Sequence, residues 1–196
     1  MTVTNYPNGQ QLSSSALTDA ALAIIIQKWT MAALGVNPPD LSLVRVDWQQ
    51  EGQPFSPATV DVAYIAVTLA DDTYAKIRNQ TQSGSPVTTT TQYTRVWNVQ
   101  WVLYGPNAVD RARLIHSATF LDYFNDLLNL QQLFPVSDPA TPTRVPEKIN
   151  GQWYNRSDFS IHMNENVIET IQDGAVQSVE VLVNDSSGQV ADFTVK

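Results

Sequence analysis

The sequence predicts an α+β domain, with one mostly antiparallel β-sheet, two main helices packed on it and extended arms at both termini. Two observations carry most of this. Residues 16–34 and 106–130 are apolar and of helical length, and several segments of about ten residues alternate large apolar with small or polar side chains. A third is the punctuation between them: Gly105-Pro106, Pro38-Pro39 and Asp173-Gly174 each stop one element before the next begins. A chain of 196 residues then suits one domain over 16–185, with an N-terminal arm at 1–15 and a C-terminal tail at 186–196.

Residues 1–14 are polar and turn-rich and read as an extended arm. Ser13-Ser14-Ser15 offers N-caps for a helix from Ala16 to Leu34, which Gly35 and then the paired prolines terminate. Leu17, Leu22, Ile24, Ile25, Ile26, Trp29, Met31 and Leu34 do not fall on one stripe. That helix is therefore expected to be buried on more than one side, against its own chain or against a neighbouring subunit. Leu43 to Trp48 alternates as a strand, Gln49 to Pro57 is a loop, and Val60 to Leu69 is a second strand. Residues 70–86 are polar, reach Gly84-Ser85-Pro86 and read as a loop. Thr88 to Thr91 leads into a long, half-buried strand, Tyr93 to Tyr104, that ends at Gly105.

Pro106 suits the first turn of a helix, where a missing N–H costs nothing. That helix is expected to reach Leu130, with an apolar stripe of Leu114, Ala118, Leu121, Phe124 and Leu128, widened by Phe120 and Leu127. Prolines at 135, 139, 142 and 146 make 134–150 an extended loop. Phe159 to Ile171 and Val176 to Val183 flank Gln172-Asp173-Gly174, a hairpin signal, and Val190 to Val195 is a short β-like tail.

Charged residues make up 15% of the chain, below the roughly 25% of an average soluble domain, so polar uncharged side chains or other subunits must cover much of the surface. The net charge is −8 and the pI about 4.5. Four lysines and seven arginines, scattered along the chain, argue against a tight grip on duplex phosphates. The absence of cysteine excludes disulfides, thiolate metal sites and a cysteine nucleophile. The longest apolar run, Ala20 to Ile26, is far short of the ~20 residues that span a bilayer, and no secretory signal is expected.

No catalytic residue, cofactor site or metal site stands out. His116 and His162 have no partner at ligand spacing, and His162 and Glu165 on one strand point to opposite faces. Asp71-Asp72 and Asp122/Asp126 read as solvated charge, and nucleophile-elbow, phosphate-loop and dinucleotide motifs are lacking. Trp97 and Trp101 share a strand face and read as core. Trp29, Trp48, Trp153, Tyr154 and Arg156 are the interface candidates, because Trp, Tyr and Arg are enriched at binding hot spots. Arg156 is expected to pair with a carboxylate and so to anchor 151–158, with Asp158 a candidate only through the backbone turn, since side chains two apart on one strand share a face.

Three groups of residues, in this order and spacing, resemble the neck or tail-terminator proteins of tailed bacteriophages. They are Arg45-Val46-Asp47-Trp48-Gln49 with Gln53-Pro54, then Leu103-Tyr104-Gly105-Pro106-Asn107-Ala108, then Gly151-Gln152-Trp153-Tyr154-Asn155-Arg156-Ser157-Asp158. The resemblance covers roughly residues 15–185. It implies a ring, usually a hexamer, that caps the finished tail tube and joins it to the head connector, without catalysis or cofactor. Its partners would be further copies of itself, the tail tube protein, a sheath where there is one, and the connector or neck proteins. DNA would pass through the lumen without tight binding. The protein would reside in the virion, assembled in the host cytoplasm and away from membrane. The alternatives are another head–tail connector or head-completion protein, or, in a different class, a small carboxylate-dependent hydrolase. A ring builder is oligomeric with charge-poor lateral faces, whereas a hydrolase is a stable monomer with a concave polar pocket.

Overall fold

The computed structural model describes residues 2–5, 10–36, 39–46, 56–73, 76–84, 87–136, 139–172, 179–184 and 190–195. In chain order these form β1 (Thr2–Asn5), β2 (Gln11–Ser14), α1 (Asp19–Ala33), β3 (Val44–Val46), β4 (Val62–Leu69), β5 (Arg78–Ser83) and β6 (Thr88–Tyr104). Then follow α2 (Ala108–Ala118), α3 (Asp122–Asn129), β7 (Leu133–Pro135), β8 (Thr143–Arg144), β9 (Glu147–Ile149), β10 (Gln152–Tyr154), β11 (Arg156–Gln172), β12 (Val179–Asn184) and β13 (Val190–Val195).

The 17-residue strands β6 and β11 pair antiparallel along their entire length, from Arg156↔Tyr104 to Gln172↔Thr88. The main sheet grows outward from this ladder in the order β1-β2-β11-β6-β4-β3, with β5 also on β6 and β7 and β8 also on β11. Its pairings are antiparallel except for β3 with β4. The alternation on the two long strands sorts side chains by face. Trp97, Val99, Trp101 and Leu103 of β6 lie beside Phe159, Ile161 and Met163 of β11 in the main core, under the helices. Trp101 stacks on Phe159 with ring centroids 4.8 Å apart. The opposite face carries a second, smaller core of Val62, Tyr64, Val102, Tyr104 and Tyr154. It lies beneath the hairpin of β9 and β10, which explains why this part of β6 is apolar on both sides.

The fold class is mixed α+β, as expected, but the described residues form three helices rather than two. The segment 106–130 breaks at Thr119–Leu121. Thr119 Oγ1 donates to the His116 carbonyl at 2.6 Å, and the N–H groups of Thr119, Phe120 and Leu121 each reach back three residues. These tighter turns end α2 before α3 begins at Asp122. The expected stripe is consequently out of register. The buried face of α2 is Ala108, Ala112, Ile115 and Ala118, small enough to lie close to the sheet, while Leu114, Phe120 and Leu121 are exposed.

Further differences concern ends and loops. Helix α1 begins at Asp19, capped by Thr18, whose Oγ1 accepts from the Ala21 N–H at 3.2 Å. Ser14 belongs to β2, and Ser15 binds Ile168 of β11 through both its own N–H and its hydroxyl. The polar stretch 70–86 contains β5, paired with Thr88–Tyr93. The proline-rich stretch 134–150 contains the short strands β8 and β9. Strand β12 pairs with β13 in a separate two-stranded sheet rather than with β11, and Asp173 and Gly174 lie outside the described residues. The expected strand 43–48 is described as β3, and its Asp47 and Trp48 also lie outside.

The Gly-Pro-Asn junction between β6 and α2 has a steric cause. Gly105 sits at φ +119, and a Cβ there would lie 2.5 Å from Asp61 Oδ1 and 2.6 Å from Asp61 Cα. The Asp61 carboxylate in turn accepts the Asn107 N–H and the Asn107 side-chain amide, both at 2.9 Å, and Arg111 Nε at 3.1 Å. Residue 105 must therefore be glycine for the start of α2 to seat on the chain before β4. The Gly105→Ala variant is expected to lose about 2 kcal/mol or more, combining backbone strain with the clash. A urea midpoint equal to that of the parent chain would show that the junction relaxes freely.

Candidate functional site

Two polar clusters fix the surfaces this domain presents. The first centres on Glu165 of β11, 1% exposed and on the helix-bearing face. Its Oε2 accepts Arg95 Nε at 2.9 Å, Arg95 Nη2 at 2.7 Å and the Trp97 indole N–H at 2.7 Å. Its Oε1 accepts the Leu17 N–H at 2.7 Å, while Arg95 Nη2 also donates to the Leu17 carbonyl at 2.6 Å. Both backbone polar groups of Leu17 are thus held by one ion pair, and the chain between β2 and α1 is tied to the sheet. His162 is exposed on the other face, as the strand period requires. The role of Glu165 was missed in the sequence because Arg95 and Leu17 are 70 and 148 residues away. The available signal was a charged residue at an inward position on each of two paired strands.

Removing one partner of such a pair strands the other. Glu165→Leu is expected to cost about 3 kcal/mol, near the lower end for buried pairs because Arg95 keeps some solvent contact. Arg95→Met with Glu165→Leu together should cost clearly less than the sum of the single changes, in a double-mutant cycle read by urea denaturation. Strict additivity would show that the two groups are not coupled.

The second cluster accounts for the segment 151–158. Arg156 pairs with a carboxylate, as expected, and the partner is Asp158, reached not through a backbone turn but directly along β11, bidentate at 2.8 and 2.6 Å, since residues two apart on a strand share a face. It also binds Glu147 of β9 at 2.9 Å, and the same Glu147 oxygen accepts the Tyr104 hydroxyl at 2.7 Å. Tyr154 is buried edge-on against Tyr104, centroids 6.3 Å apart, and Tyr104 meets Tyr64 in the same way at 6.0 Å. The network therefore clamps the β9–β10 hairpin over the second core. Asp158 above all holds the Arg156 guanidinium more firmly protonated than usual. Burial, then the bond to Glu147, pushes the Tyr104 hydroxyl up, and the bonds from Tyr104 and then Arg156 hold Glu147 below the ordinary carboxylate range.

A carboxyl with a lowered folded pKa stabilises above its unfolded pKa and loses that contribution as pH falls through the folded value. The stability gap between the parent chain and Glu147→Gln should therefore be widest near neutrality and close on acidification below the carboxylate range. Paired urea titrations at the two pH values check this, and a gap that stays constant would remove the ionised carboxylate from the explanation.

The interface candidates fall in different places. Trp29 is inside the core, its indole N–H donating to the Phe124 carbonyl at 3.0 Å and its ring against Trp101 and Phe124. Tyr154 is buried, Arg156 is engaged in its network, and Trp48 lies outside the described residues. Trp153, 67% exposed on β10, faces solvent. The break between α2 and α3 exposes residues that sequence reasoning had placed in a buried stripe or passed over. Tyr123, Leu127 and Leu130 fall along one side of α3, with Tyr123 and Leu130 at 70% and 77% exposure. Beside them a groove between α1 and α3 is lined by Ile25, Lys28, Trp29, Leu127, Leu128 and Gln131.

Among the described residues, no three His, Asp or Glu side chains are grouped to hold a metal ion, and no helix is long and apolar enough to cross a membrane. The buried charged groups tie backbone segments together, and apolar side chains are turned outward. A family model described as phage neck terminator protein matches residues 20–189, and the chain belongs to that family. No curated protein matches it. The protein is thus a bacteriophage structural component of the tail and neck region, as the short motifs around Gly105 and Trp153 implied.

Proposed function

We propose that this chain is the terminator ring of the neck. Six copies close on the finished end of the tail tube, stop its growth and present a surface to which the head connector docks. The observation that carries this reading is family membership over residues 20–189. The outward apolar residues of α3 and its groove with α1 support it, because a charge-poor surface of this kind is suited to burial against protein. Trp153 and the clamped hairpin beneath it supply a second rigid contact surface.

DNA passes through the lumen of this ring without being held. Each copy carries a net charge of −8, so the ring as a whole offers phosphates little counter-charge. The ring is passive: it terminates, seals and leaves the duct open.

The test is assembly of tails with and without this protein. Omission should give tubes of uncontrolled length that do not join heads, and adding the purified chain should restore both length and joining. Normal, head-joined tails in its absence would overturn the reading. A duplex-binding titration at low salt should show only weak association, and tight, salt-sensitive binding would contradict the open duct.

A further inference from the structure

The lower half of the main sheet is a regular panel. Following the pairings across it, one row reads Thr2, Ser14, Glu169, Thr91 and Gln80, on β1, β2, β11, β6 and β5 in turn. The next three rows continue in the same register to the row that runs from Asn5 to Ser83. All four junctions are antiparallel, so β1 and β5 run in the same direction at opposite ends of the panel. Among the described residues neither β1 nor β5 has a strand on its outer side.

Open edges are commonly protected by charge, proline or a bulge. Here Thr2-Val3-Thr4-Asn5 and Gln80-Thr81-Gln82-Ser83 carry neither charge nor proline, and Glu169 is the single charged residue in the whole panel. Within the panel each edge strand therefore presents four uncharged residues of different sequence, and β5 continues past them through Asn79 to Arg78.

The upper half of the sheet says what fits them. Its row reads Arg144, Ser157, Leu103, Ala63 and Val44, on β8, β11, β6, β4 and β3. It too is five strands wide, but it is displaced by one strand toward the β3 side. The sheet has a stepped outline, and a second copy shifted by five strands matches the step. The β1 of that copy would lie alongside β5, in the place left below β3. Two different edges meeting head to tail also form the kind of contact that closes into rings.

We infer that neighbouring copies join edge to edge, with the outer edge of β5 pairing in parallel with the outer edge of β1 of the next copy, so that the sheets make one continuous closed wall. This rests on the ring reading above and adds the surface through which the ring closes. With six copies the lower wall has thirty strands, and at about 4.8 Å per strand its circumference is about 140 Å and its diameter about 45 Å before any tilt. That leaves room for a DNA duplex.

The chain has no cysteine, so introduced thiols report the contact cleanly. Within one copy β1 and β5 are four strand spacings apart, about 19 Å, beyond the roughly 7 Å Cα separation that a disulfide can bridge. Val3→Cys is combined in turn with Gln80→Cys, Thr81→Cys and Gln82→Cys, all at surface positions, and assembled protein is oxidised mildly. At least one pair should give a ladder of covalent oligomers ending at the ring size, while each single-cysteine variant gives none. Rings visible by native mass spectrometry without a ladder from any pair would overturn this contact and leave the terminator reading standing. Dimers from the β5 cysteine alone would overturn it in favour of a two-fold contact. Failure to form any oligomer on tail tubes would remove both.

Discussion

The antiparallel ladder between β6 and β11 is the constraint from which the rest of the domain follows. Every other strand of the main sheet is hydrogen-bonded to one of these two or to a neighbour that is. The ladder places Trp97 opposite Met163 and Trp101 opposite Phe159, and so creates the apolar floor on which α1 and α2 rest. Because side chains alternate with a period of two, a slip of one residue would turn that floor to the other face. The same slip would move Arg95 away from Glu165, which stand directly opposite each other in the ladder. Hydrophobic burial and the ion pair thus select the same register.

Burying Glu165 is costly unless all its bonds are made, and its four donors come from two separate parts of the chain, Leu17 ahead of α1 and Arg95 with Trp97 on β6. The cluster around Arg156 works similarly on the other face, where it joins β9, β6 and β11. One network ties down the approach to α1 and the other the hairpin that bears Trp153. The approach to α1 and the hairpin bearing Trp153 are therefore both held in place by polar side chains of β6 and β11.

Much of this architecture was legible in the sequence, for identifiable reasons. The long strand ending at Tyr104 showed itself through alternation, and the need of Arg156 for a carboxylate partner through its chemistry, although its direct pairing with Asp158 along the strand did not. The motif around Gly105 was visible as punctuation, although the close approach to Asp61 that requires it was not. Strand β5 was missed because Gln, Thr, Asn and Ser have no apolar periodicity, and its pairing is shown only by backbone register. The helix break at Thr119 was missed because the apolar pattern continues across it. That error hid the exposure of Tyr123 and Leu130, which depends on how α3 is rotated relative to α2. Glu165 escaped notice because its partners are remote in sequence.

The full-length pairing of two long strands also gives the molecule a mechanical grain. A force applied along β6 and β11 in opposite senses loads every rung of the ladder together, so failure requires many hydrogen bonds to shear at once. A force applied across the strands at one end peels the rungs in succession. The domain is therefore stiff in one direction and weak in another, and any assembly that aligns these strands with its axis inherits resistance to being stretched.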